Sequence, residues 1–240
     1  MHAAIAGWLA VIVYAVGMAY VEAAAVLYLR TIYGGIDPVG TRTTVFDPVP
    51  DFVWVEIGRE AATMVMLGAI GWLAGRGFAG RLGGFALAFG VWDIFYYAFL
   101  WKFAAWPHSL LAPDVLFLIP LPWWGPVLAP CLVAAVISVA GGAAMARELG
   151  DGVPRPTRGA VLSVVGGALL CLVAFMADSL RALVGNGLES AYYARGGPFA
   201  WPLFVVGLAL GVLGLWRMLA SAPSNTRVSR SSSDRSTSGR

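Results

Sequence analysis

Dividing the chain at its charged and Pro/Gly-rich breaks leaves six apolar blocks, at 4–29, 53–74, 82–101, 124–146, 160–183 and 199–219. Each lies near the roughly 20 residues that carry an α-helix across a hydrocarbon core. The pattern predicts an all-α fold, a polytopic membrane helical bundle of six transmembrane helices within residues 1–220. Residues 221–240 are rich in Ser and Arg and too poor in apolar side chains to offset the entropy of ordering. They are expected to form a disordered, basic cytoplasmic tail.

An even number of spans puts both termini on one side, and the short loops choose which. Arg76 and Arg81 lie between spans two and three, and Arg147, Arg155 and Arg158 between spans four and five. With Arg217, Arg227, Arg230, Arg235 and Arg240, that face carries ten of the sixteen basic residues. The bias of Lys and Arg toward cytoplasmic loops makes this the cytoplasmic face of the inner (plasma) membrane and places 30–52, 102–123 and 184–198 outside. The first block has no Lys or Arg before it and outruns an ordinary signal-peptide core, so a retained first helix is expected.

One stretch departs from a plain spanning pattern. Residues 101–108 lead into 109–119 and then into Pro120, Pro122, Pro126 and Pro130. Residues that precede proline are pushed out of the α region, and broken backbone at membrane depth is tolerated only where protein or a wet cavity surrounds it. The expectation is a short interfacial or re-entrant helix at 109–119 followed by a kinked fourth span, with His108 and Asp114 riding on that element at the outer surface.

Composition supports the class: of 240 residues, 59% are hydrophobic and 12% charged, and mean hydropathy is +0.77, far from the soluble balance. The preference for Arg over Lys, with abundant Ala, Gly and Val, suits a GC-rich bacterial genome. Cys131 and Cys171 have no Cys or His at ligand spacing, so neither a disulfide framework nor a zinc motif is signalled. Trp101, Trp106, Trp123, Trp124 and Trp201 fall near outer span ends, where an aromatic belt is expected. Gly71 with Gly75, and Gly207 with Gly211, have the spacing that allows close helix crossings. There is no H-E-x-x-H, no phosphate-binding glycine loop, no G-x-S-x-G and no histidine pair for haem. The lipid bilayer is the expected partner, with a second copy or a partner membrane subunit also compatible, and no nucleic acid.

Charge inside the blocks changes the picture. Glu22, Glu56, Glu60, Asp93 and Asp178 all fall in or beside apolar spans, in the outer half of the membrane. Each ionisable group at such depth costs roughly 2.5–3.5 kcal/mol on insertion scales, so five together mark a functional site. In the second block the uninterrupted apolar run Ala61–Ala74 covers only about 21 Å, which draws the turns bearing Glu56, Arg59 and Glu60 toward the membrane. Arg59 is three residues from Glu56 and can pair with it, leaving Glu60 in need of a cation, a proton or a basic group. Tyr96 and Tyr97 follow Asp93 on its own helix face, and Arg181 is placed to pair with Asp178.

Three readings of this site stay open. In the first, Glu22, Glu56, Glu60 and Asp93, with His108 or Asp114, bind a hard divalent cation (Mg²⁺, Ca²⁺ or Mn²⁺) for hydrolytic or transfer chemistry. In the second, a small proton- or ion-coupled permease uses Glu60 and Asp93 as its titrating pair. In the third, the buried ions fasten helices in a non-catalytic assembly or scaffold protein. Under all three, Asp93 and Glu60 are central, Glu56 is a further acid oriented by Arg59, and Glu22, Asp178, Arg181, Tyr96 and Tyr97 support them.

Overall fold

The computed structural model describes residues 2–32, 50–150, 156–192, 194 and 196–220. Its long helices are α1 (His2–Ile32), α2 (Pro50–Ala74), α3 (Phe78–Ala104), α4 (Leu128–Leu149), α5 (Arg158–Asn186) and α7 (Trp201–Ala220), with a short α6 (Leu188–Tyr192). Each of the six predicted blocks is helical over most of its length, the fourth only from Leu128, and five of these helices are long and apolar enough to cross a membrane. The exception is α2, whose first turns carry Asp51, Glu56, Arg59 and Glu60. The expected tail at 221–240 and Arg155 lie outside the described residues.

Small residues set how the helices meet. In α3 and α4 the backbones approach so closely that a Cβ at Gly83 would lie 2.8 Å from the Gly141 carbonyl oxygen. A Cβ at Gly207 of α7 would likewise lie 2.8 Å from the Gly167 oxygen of α5. Lipid tails are as apolar as the side chains, so such van der Waals contact, rather than the hydrophobic effect, holds helices together in a bilayer. The close crossings expected at Gly71 and Gly207 form within the chain, Gly71 against Phe85 and Gly207 against Gly167 and Cys171.

Two helix starts are satisfied by side chains. Thr157 accepts from the Ala160 N–H at 3.2 Å and caps α5. At the start of α3 the two oxygens of Glu148, from the last turn of α4, accept the N–H groups of Arg76 (2.9 Å) and Gly77 (2.5 Å). A carboxylate suits the positive end of a helix dipole, and this contact puts the two Arg-bearing turns at one end of the bundle.

The expected re-entrant helix at 109–119 is not what forms. Pro113–Phe117 and Trp123–Pro126 are antiparallel strands β1 and β2, with Asp114 opposite Gly125 and Val115 opposite Trp124. The reason is local: Ala112, Ile119, Leu121 and Gly125 each precede a proline and are held out of the helical region. The hairpin carries Pro120, Pro122 and Pro126 ahead of α4, and Pro130 falls in the first turn of α4, where its missing N–H is not needed. These prolines build a hairpin; they do not kink a fourth span.

Four contacts fix this hairpin across the end of the bundle where α1 and α3 finish and α2 and α4 begin. Asp114 meets α1 and α3, Leu118 meets α2, the Ser179 hydroxyl of α5 donates to the Pro122 carbonyl at 2.6 Å, and Tyr192 of α6 donates to Pro120 at 3.0 Å. Beneath it, the Phe117 ring packs between Trp92 (centroids 6.2 Å) and Trp123 (5.3 Å), and Trp123 stacks on Phe175 of α5. Two of the expected belt tryptophans are core instead: Trp106 is 1% exposed and Trp124 8%, while Trp101 does face outward.

Candidate functional site

Under the hairpin, polar side chains converge from α1, α2, α3 and β1. Glu22, Arg30, Glu56, Glu60, Thr63, Asp93 and Asp114 are all buried, an unusual density for the interior of an apolar bundle.

The first group centres on Arg59. Its guanidinium pairs with Glu22 of α1 and, one turn back on α2, with Glu56 at 2.8 Å through Nη2 and 2.9 Å through Nε. The Thr63 hydroxyl lies 3.2 Å from Glu22 Oε2 and 3.1 Å from the Arg59 carbonyl, so it donates within the same group. The expected Arg59–Glu56 pair is present, and Glu22 joins it.

The second group ties β1 to the bundle. Arg30 Nη2 meets Asp114 Oδ1 at 3.0 Å, with the two side chains 7% and 1% exposed, and the Tyr97 hydroxyl donates to Asp114 Oδ2 at 3.1 Å. The Arg30 guanidinium also lies 4.1 Å over the Trp106 ring, a cation–π contact. Burial pushes the Asp114 carboxyl above its ordinary range, and Arg30 and the Tyr97 hydroxyl act in the opposite direction.

Among the described residues Glu60 is bonded to backbone and to no basic side chain, although Arg59 lies within electrostatic range. Both of its oxygens accept the Leu118 N–H, at 3.1 and 2.9 Å, where the chain leaves β1. Asp93 differs from all the others. It is 8% exposed, lies within electrostatic range of Asp114, Tyr97 and Cys131, and has no hydrogen-bond or ion-pair partner among the described residues.

Sequence reasoning gathered most of these residues but missed three parts of the site. Arg30 was the break that ended the first block, about two turns beyond Glu22, and that spacing was the available signal. Thr63 reads as one more residue of an apolar run, and the Leu118 N–H is a backbone group that no side-chain pattern reports. Other expected members lie elsewhere. Asp178 pairs with Arg181 at 2.5 Å as expected, but its other oxygen accepts the Gly197 N–H, and no described bond joins it to the buried cluster. His108 is exposed. Among the described residues no group of three or more His, Cys, Asp or Glu side chains is arranged to hold a metal ion. The expected ligand set is divided because Arg59 engages Glu22 and Glu56 while the hairpin backbone engages Glu60.

The class that follows is a multi-pass membrane protein with a buried ionic cluster beneath a β-hairpin. In comparisons with known proteins, no family model, curated protein or solved structure matches this chain.

Proposed function

We propose that the protein is a small proton-coupled membrane carrier in which Asp93 binds the coupling proton and the paired charges around it hold the helices in register. The observation that supports this most is the contrast between Asp93 and its neighbours: Glu22, Glu56, Glu60 and Asp114 each have a partner, and the buried Asp93 carboxyl has none among the described residues. An uncompensated charge in a low-dielectric interior is costly, so such a carboxyl exchanges with whatever neutralises it. Proton exchange at one position within a bundle is the elementary step of ion coupling.

In this reading α2 is a sixth span. Its charged turns are covered by α1, α3 and the hairpin, which is how ionisable residues are accommodated at membrane depth. Both termini are then cytoplasmic, Arg76, Arg81, Arg147 and Arg158 face inward, and the hairpin closes the outer end in the inner (plasma) membrane. A structural role favours Arg59 and Arg30: buried pairs of this kind fasten α1 to α2 and β1 to α1.

Proteoliposomes enclosing a pH-sensitive dye test the proposal. A panel of inorganic cations, amino acids and sugars is added outside, and acidification of the lumen with one class is the expected result. Asp93→Asn should abolish the signal while the protein stays folded. Equal flux in Asp93→Asn, or no flux with any class, would overturn the reading.

A further inference from the structure

The hairpin, α5 and the segment at 196–201 border a half-open cavity of about 250 Å³ that takes no part in the ionic cluster. Its walls include the rings of Trp124, Phe199 and Trp201, the last two edge to face with centroids 5.0 Å apart. The chain packs tightly at its edge: a Cβ at Gly196 would lie 2.7 Å from the Trp124 ring. Among the described residues lining it, Asp178 is the one charged side chain.

We propose that this cavity binds the alkylammonium group of a small organic cation. Aromatic faces carry the negative part of a quadrupole and attract a cation placed over them, and the adjoining Asp178 carboxylate adds negative charge as a ligand displaces its exposed Arg181 partner. Asp178 keeps acceptor capacity for such a ligand. Its two oxygens offer about four lone-pair sites, and the structure uses them for one Arg181 N–H and one Gly197 N–H. Arg181 lies outside the cavity lining and its side chain is 68% exposed, so its pairing is the readily yielded kind. The volume lies below the roughly 300–1,000 Å³ of pockets for drug-sized ligands, which limits the occupant to a headgroup-sized molecule. A free quaternary ammonium and a choline-bearing lipid headgroup present the same chemistry, and the proposal is independent of the role of Asp93.

Calorimetry on the full chain tests it, with choline as the probe and, as control, the uncharged isostere in which a tert-butyl group replaces trimethylammonium. In maltoside micelles choline should bind at least about tenfold more tightly than the isostere. Asp178→Asn and Phe199→Leu should each weaken choline by about tenfold, and Asp93→Asn should leave it unchanged. Thermal unfolding of each variant shows which remain folded, and Phe199→Leu carries the test if Asp178→Asn does not. Weaker choline binding in phosphatidylcholine nanodiscs assigns the site to a lipid headgroup, and equal binding there assigns it to a free organic ammonium. The proposal is overturned if wild-type protein binds no choline, if the isostere binds as well, or if folded variants bind like wild type.

Discussion

Arg30 and Asp114, 84 positions apart in sequence, meet as a buried ion pair at 3.0 Å that joins the last turn of α1 to the first strand of the hairpin. Removing one member takes a charged partner away from a buried group, which costs up to roughly 3–5 kcal/mol in buried pairs. Asp114→Asn is expected to lower the unfolding midpoint of the detergent-purified protein sharply. The double substitution Arg30→Met with Asp114→Leu should recover much of the loss, since it removes both charges at once. A double variant no better than Asp114→Asn would show that the pair's value lies elsewhere.

Glu60 holds the far side of the same hairpin through the Leu118 N–H. Glutamine keeps a side-chain oxygen that can accept this bond, whereas alanine leaves a buried donor unmade, at about 1–3 kcal/mol. Hydrogen exchange at the Leu118 amide should therefore stay slow in Glu60→Gln and quicken in Glu60→Ala. Equal protection in both variants would mean that the carboxylate does not hold the hairpin.

Asp93 makes no hydrogen bond or ion pair among the described residues, so its removal should not harm the fold. Asp93→Asn is expected to unfold within about 1 kcal/mol of wild type, because no hydrogen bond or ion pair is lost. A strongly destabilised Asp93→Asn, in a thermal melt followed by circular dichroism, would reassign the residue to structure.

Neighbouring glycines of α5 separate helix propensity from packing. A Cβ at Gly166 meets nothing within 4 Å, while one at Gly167 would come 2.5 Å from the Gly207 oxygen. Gly166→Ala should be neutral or stabilising by roughly 0.5–1 kcal/mol, the helical preference for alanine. Gly167→Ala must part α5 from α7 and should destabilise. Matching melts for the two variants would contradict the close crossing.

Much of the candidate site was legible in advance because burying charge is rare enough in apolar spans to stand out. Glu22, Glu56, Glu60 and Asp93 were visible for that reason, and Glu56 with Arg59 because three residues is a helical contact distance. The hairpin was not legible as such. Its prolines excluded a helix, yet the pairing of Asp114 with Gly125 depends on a turn and on bulk supplied by α5 and α6.

By itself the sequence determined the membrane-helical class, the positions of six helices and which spans carry charge, because hydrophobic block length and local spacing act within a single segment. Tertiary structure alone decided the partners. Whether Glu60 meets a cation or a backbone amide, whether Asp114 faces water or Arg30, and whether Asp93 stands without a partner are set by contacts between segments far apart in the chain. Packing geometry assigns those contacts, and one chain's residue pattern does not encode it legibly.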